Sequence, residues 1–538
     1  MQGRETGVVA EIGGQPGAWA RRSAGVRLSE LVAALSFSSD LALGQPMEHV
    51  LRSCLIALRL ADHLGLDEQQ RAETYWVTLL ALVCTGESFE LAQLFGDDVA
   101  FRSGMYHGGP SQLAQMLYVL GQAGSDRSAA ARMRTAAGIA LTGGRTVEAR
   151  FLAHCAVTRQ VARRLGLPVG VGEALSDTFV RWDGKGVPRR VASEEVPMSV
   201  RLMQLADFAE VHHRLHGIEG AVEMARRRAG KLLWPELVKT FSGAAPEILR
   251  DLDETTWDRV VAAEPSPRPP LTEQEFDSVL EVIADIADLK SPWLSGHSRG
   301  VADLAARAVQ AAGMPERDVV TTRRAGLVHD LGRTAISNRV WDKREALTDG
   351  DRERVRLHAY YTERMLRRPA ALAGLAAVAS SHHERLDGSG YHRATRGLDI
   401  PLLGRYLAAA DVYHALLEER PYRPALEPTH AAARLRSEAR NGRLDDAAVD
   451  MVLGVSGHRR SGLPASPAGL TPREVEVLVL VARGASTRQV GRSLHITPKT
   501  AGNHIEHIYT KIGASSRSTA TLFALQHGML ATLEPVQR

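Results

Sequence analysis

The chain has 538 residues, 44% of them hydrophobic and 24% charged, which is ordinary for a globular protein and enough for roughly three domains. No run of 18 apolar residues occurs, and the three cysteines (Cys54, Cys84, Cys155) have neither disulfide-framework nor metal-knuckle spacing, so a membrane span and a disulfide-built fold are excluded. The net charge of +4 resides in the last 71 residues, which hold eight Lys/Arg and four Asp/Glu, and this points to a nucleic-acid partner at that end.

Aromatic residues make up only 5% while Ala, Leu, Val and Arg abound, so an all-α fold is expected. Residues 1–25 lack periodicity and read as a disordered tail. The opening MQGRETGVVAEIGG has no apolar core, so no secretory leader is expected, and the cytoplasm is the expected compartment. Apolar stripes at helical spacing begin at Leu28. They predict helices over 51–66, 74–86, 112–122, 151–167 and 200–215, with 86–150 a looser insert.

The pattern of these pieces returns downstream. MEHVLRSCLIALRLADHLGL matches GHSRGVADLAARAVQAAGM, YWVTLLALVCTG matches RRAGLVHDLGR, RWDGKGVP matches RLDGSGYH, and LMQLADFAEV matches YLAAADVYHA. The offset is 248 residues for the early pieces and 204 for the late ones, so the first copy carries about 44 extra residues. An internal duplication follows, with one copy over 26–261 and a second over 271–456. A Pro-rich linker, 262–270, separates them, and a second linker spans 457–469. The Arg runs at 226–228 and 323–324 read as solvated faces.

The second copy carries the chemistry. Its apolar helices contain His297, His329-Asp330, His358, His382-His383 and Asp411. Buried imidazoles and carboxylates are costly unless paired or bound to metal, so five histidines and two aspartates at helical spacing suggest one metal-filled pocket. GHS, HDLG, the lone His358, HHERLDGSGY and ADVYHAL stand in one order between about 290 and 425, and this order resembles the HD-GYP family of metal-dependent phosphohydrolases. The resemblance implies a binuclear centre. His297, His329, Asp330 and Asp411 would hold one metal, and His358, His382 and His383 the second, with Asp330 bridging. Two divalent transition metals, iron or manganese, suit such mixed N/O ligands.

The resemblance also implies Asp330 and Arg333 as catalytic candidates, and Arg333, Arg385, Asp387, Gly390 and Tyr391 as substrate-binding ones. Arg333 stands where the family has lysine, His392 where it has the proline of GYP, and Trp293 where some members have a third-metal carboxylate. In the first copy Ala81-Leu82 replace His-Asp and Thr178-Phe179-Val180 replace His-His-Glu, with His49, His154 and Asp207 as relics. That copy is expected to be a degenerate helical domain without a metal site.

Residues 470–530 read as four helices. Thr471-Pro472 with Glu474 opens the first, Gly484 closes it, and Thr497-Pro498 opens the third. LTPRE, VARG, TPKT, NH and YTKIG together resemble the LuxR-type helix-turn-helix. The resemblance implies that the third helix enters the major groove of double-stranded DNA, with Thr497, Lys499, Thr500, Asn503 and His507 toward it. Gly502 stands where the family has a lysine. The expected whole is a homodimeric DNA-binding regulator carrying a cyclic-nucleotide (cyclic-di-GMP-like) phosphodiesterase. A ligand- and metal-sensing transcription factor with little turnover, or a hydrolase of another phosphoester, fits the same residues.

Overall fold

The computed structural model describes residues 25–458, apart from 84–85, 110–111, 143–144, 189–191 and 253–255, and then 468, 470–514, 516–526 and 529. The expected tail, most of the second linker and Cys84 lie outside the described residues. The described chain is helical, with isolated bridges and no strand. None of its helices is long and apolar enough to cross a membrane. It divides into two compact units, 1–458 and 459–538.

Both copies lie in the first unit and share one large core. In the first copy, His49–His63 packs between Glu68–Leu80 and Met198–Arg228; in the second, His297–Ala311 packs between Glu316–Val328 and Leu402–Leu417. The local devices repeat as well. Glu48 and Gly296 both adopt the left-handed conformation just before these helices (φ 74° and 79°). Asp40 accepts from Val50 N–H, and Asp288 accepts from Ser298 N–H, both at 2.9 Å. Each satisfies an orphan donor of a helix first turn.

Gly186 and Gly390 also correspond. A Cβ at Gly186 would lie 2.4 Å from Arg181 N and 2.5 Å from Phe179 O, and one at Gly390 2.4 Å from Arg385 N and 2.5 Å from His383 O. Only glycine lets that loop fold back on itself.

Three expectations change. The helix predicted over 74–86 runs from Glu68 to Leu80, because Asp67 and Gln70 form a capping box that starts it earlier. The 86–150 insert is a helical subdomain rather than a loose segment. Ser88–Phe95, Asp98–Met105, Gln112–Gln122 and Ala129–Leu141 close over a small core of Leu91, Phe95, Phe101 and Ile139. The Arg runs are not solvated faces throughout. Arg324 is 1% exposed, lies over the Phe276 ring at 4.7 Å and meets Asp277 at 2.6 Å; Arg228 is also buried. Aliphatic stems and planar guanidinium groups pack well against rings, and periodicity does not report that.

Among its described residues the second unit has four α-helices: Pro472–Ala482, Thr487–Ser493, Pro498–Ile512 and Arg517–Gln526. Thr471/Glu474 and Ser486/Gln489 form capping boxes, and Thr497 caps the third helix through Thr500 N–H. Its core includes Val477, Leu478, Val490, Ala501 and Ile508.

Candidate active site

Asp330 follows the Glu316–Val328 helix, where the chain tightens into a short turn of 3-10 helix over Leu331–Ala335. Its carboxylate is 1% exposed and lies among four imidazoles. Oδ2 is 3.6 Å from His297 Nε2 and 3.2 Å from His329 Nε2. Oδ1 is 3.5 Å from both His358 Nε2 and His382 Nε2. Asp411 lies 3.3 Å from His297 Nε2 and 3.8 Å from His383 Nδ1. All seven expected ligands therefore converge, with Asp330 between the two sets.

The backbone sets the imidazoles. His329, His358 and His382 each place Nδ1 against the carbonyl three residues back, of Gly326, Val355 and Ala379, at 2.6, 2.5 and 2.6 Å. A neutral imidazole that donates through Nδ1 keeps its Nε2 lone pair for the cluster. His297 instead places Nδ1 against Glu418 at 2.9 Å. Burial pushes the His358 imidazole down to about 3, keeping it neutral. Burial also opposes charge on His297, but hydrogen bonds to Asp411 and Glu418 outweigh it and raise that ring to about 9. Burial would raise Asp330, yet Arg333 and His329 hold its carboxyl well below the usual range.

This donor set fits metal. His297 Nε2, His329 Nε2 and both Asp330 oxygens are buried without a well-formed hydrogen bond among the described residues. Buried imidazole nitrogens converging on an anionic carboxylate are the kind of donor set that a divalent cation would satisfy. Among the described residues three groups are close enough for one ion each: His297, His329 and Asp330; His358, His382 and His383; and His297, His414 and Glu418, the last already bridged by Arg420 on Glu418.

The other expected residues are placed as follows. Arg333 Nε is 2.6 Å from Asp330 Oδ2, and its guanidinium covers the Trp341 ring at 4.7 Å. Tyr391 stacks beside His383 at 4.7 Å, on the backbone turn that Gly390 permits. Arg385 donates to the His382 and Glu384 carbonyls. Asp387 spends Oδ1 on Ser389 N–H and Oγ within its own turn. His392 is anchored on Glu363 at 2.8 Å. In the second unit, Thr497, Lys499, Thr500, Asn503 and His507 are all exposed, while Ala501 and Ile508 are buried.

Sequence reasoning missed Glu418, Arg420 and Trp341. Glu418 lies seven residues after Asp411, two helical turns on, and that spacing was the available signal. Arg420 neutralises Glu418 and donates to the Trp293 carbonyl.

The HD domain family model matches residues 281–448, and the model for bacterial regulatory proteins of the luxR family matches 468–524. The 3'3'-cGAMP-specific phosphodiesterase 3 of Vibrio cholerae is 31% identical over 415 residues, covering 76% of this chain and 90% of that protein. The chain belongs to the HD-GYP phosphodiesterase family. A crystal structure of a cyclic GMP-AMP specific phosphodiesterase from Vibrio cholerae superposes with a TM-score of 0.56 at 26% identity, covering 81% of this chain and 99% of that one. The HD-GYP likeness therefore takes in the first copy as well as the second. A cyclic di-GMP phosphodiesterase of Thermotoga maritima is 33% identical over a shorter overlap, 27% of this chain and 40% of that protein.

Proposed function

We propose that the protein hydrolyses a phosphodiester bond of a cyclic dinucleotide, 3'3'-cGAMP foremost, and that its C-terminal helices bind double-stranded DNA. The observation that carries the reading is the buried Asp330 carboxylate, held between four imidazoles with no well-formed hydrogen bond to either oxygen among the described residues. Similarity to the 3'3'-cGAMP-specific relative runs through both copies, and this favours that substrate over cyclic di-GMP.

His297, His329, Asp330 and Asp411 would hold one divalent ion, and His358, His382 and His383 a second, with Asp330 shared. When bound, two such ions supply Lewis acidity toward a phosphoryl oxygen and lower the pKa of the attacking water. The mixed nitrogen and oxygen donors favour iron or manganese. Arg420 already neutralises Glu418 on the far side of His297, which supports two ions rather than three. Arg333 remains charged at any working pH, so it contributes fixed positive charge and not a proton. Arg385, Gly390 and Tyr391 form the loop beside His383 that would meet the substrate, with Asp387 holding that loop's turn. The first copy, with Leu82 and Phe179 at ligand positions, is proposed to bind no catalytic metal.

On the DNA side, the exposed Thr497, Lys499, Thr500, Asn503 and His507 form one face of the third helix, and a homodimer would present two such faces to a two-fold site. The contact between Arg333 and Asp330 favours a second reading, a slow enzyme acting chiefly as a ligand-sensing regulator. The test is product analysis after incubating manganese- or iron-loaded protein with 3'3'-cGAMP, cyclic di-GMP and cyclic di-AMP. Linear dinucleotide from 3'3'-cGAMP at the highest rate is expected; preferential cleavage of another cyclic dinucleotide overturns the substrate assignment.

A further inference from the structure

The first copy has a cavity where the second has its cluster of histidines and aspartates. Leu82, His154, Thr178, Phe179 and Asp207 line it, and these positions correspond to Asp330, His358, His382, His383 and Asp411. Its volume is about 250 Å³. That lies below the range of about 300–1,000 Å³ for drug-sized ligands, so a small molecule matches the cavity better than an intact cyclic dinucleotide.

The walls are mainly apolar and aromatic, with Phe101, Phe151 and Phe208 joining Phe179. The remaining relics are satisfied internally. His49 pairs with Asp207 at 2.9 Å and Tyr106 donates to Asp207 at 3.0 Å, while His154 donates Nε2–H to the Ala81 carbonyl at 2.7 Å. Glu87 differs. It lines the cavity at 6% exposure, and its Oε1 takes Arg102 at 2.9 Å and His154 at 3.3 Å. Its Oε2 is buried with no hydrogen-bond partner among the described residues. Burial would raise this carboxyl, but His154 and Arg102 hold it well below the usual range. A buried anionic oxygen left without a donor in the wall of an apolar cavity is where a ligand's donor gains most.

We propose that this cavity is an effector site for a small planar aromatic molecule, of one or two rings, whose N–H group donates to Glu87. Loss of the metal ligands converted a catalytic pocket into an apolar one of similar position, and the Glu87 carboxylate supplies its specificity.

The same wall reaches the HD site. Arg102 meets Asp98 at 3.1 Å, and Asp98 meets Lys290 of the second copy at 2.7 Å, with Asp98 and Lys290 fully buried. The other Asp98 oxygen accepts from Ser337 Oγ at 2.9 Å and Asn338 N–H at 2.8 Å. Those residues open the short helix ending in Trp341, which donates to the Arg333 carbonyl and meets the His358 ring edge-on at 5.5 Å. A ligand on Glu87 bears, through Arg102 and Asp98, on the segment that positions Arg333.

Indole and 1-methylindole, which lacks the donor, serve as probes on the full-length protein. Calorimetric titration is expected to show saturable indole binding, at least about ten-fold weaker for 1-methylindole, the loss of one hydrogen bond to a charged group. Leu82→Phe, which grows into the cavity from a half-buried wall position, is expected to abolish it, and Glu87→Leu, which removes the acceptor, to erase the preference for the N–H compound. Hydrogen exchange over residues 331–341 is expected to slow on adding indole to wild type and not to Leu82→Phe. Absence of saturable binding, or binding that Leu82→Phe leaves intact, overturns the site. Binding without any change in exchange at 331–341 overturns its role as an effector site. Neither readout depends on turnover, so failure here is distinct from failure to hydrolyse cyclic dinucleotides.

Discussion

Asp330 faces two imidazoles of each set, where Asp411 faces one of each, so removal of Asp330 is expected to act on both ions. Asp330→Asn keeps the shape and removes the charge. Elemental analysis is expected to find well under one ion per chain in that variant, and turnover is expected to fall at least about 100-fold. His358→Ala faces one set only and is expected to retain about one ion; loss of both from His358→Ala would place the shared ligand elsewhere. A second residue-scale effect is pH-dependent. Burial pushes the Asp40 carboxyl up to about 7 against its usual 3.8, and its Oδ2 is unsatisfied. The folded state then holds a proton that the unfolded chain releases, so stability is lost as pH rises from about 4 to about 7. Asp40→Asn can still accept from Val50 N–H and escapes that loss. Its melting-temperature advantage over wild type is expected to grow from pH 5 to pH 8, by on the order of a few kcal/mol of stability; an advantage that is flat or shrinks with pH would refute the account. The convergence of the seven candidate ligands was legible in the sequence because imidazoles on apolar helix faces are conspicuous. Glu418 and Arg420 were not, because they act from the end of the Asp411 helix and the loop after it, where their types read as ordinary solvated charge. Arg324 and Arg228 failed for the same reason: a charged residue's partner is a property of the folded chain.

At the scale of elements, the duplication was legible from matched patterns, and the structure adds the matched devices at Asp40 and Asp288 and at Gly186 and Gly390. What the sequence could not show is how the copies are joined, since the Asp98–Lys290 pair bridges residues 192 apart. Breaking a buried pair leaves a charge uncompensated. Lys290→Met is expected to destabilise the chain by about 3 kcal/mol, read as a drop in melting temperature, because Asp98 retains Arg102 and the Asn338 N–H. An unchanged melting temperature would show that the bridge adds nothing. In the C-terminal unit, a Cβ at Gly502 meets only Thr487 Cγ2 at 3.9 Å, so a side chain fits there. Gly502→Lys is expected to stabilise the third helix by about 1 kcal/mol and to strengthen DNA binding, with the salt slope steeper by about one. A slope that does not change would move that position away from the phosphate backbone.

At the scale of the molecule, an HD-GYP tandem with its cluster in one copy is carried on the same chain as a LuxR-type unit that holds the net positive charge. The proposed logic is that a cyclic dinucleotide or its removal is read out at DNA, and the cluster around Asp330 is the part on which that logic depends. The most direct measurement strips the full-length protein with chelator, titrates manganese or iron back, and follows 3'3'-cGAMP cleavage together with metal per chain. Activity is predicted to be absent from the stripped protein and to reach its maximum near two ions per chain. Cleavage that survives chelation, or that saturates at one ion per chain, would contradict the binuclear account.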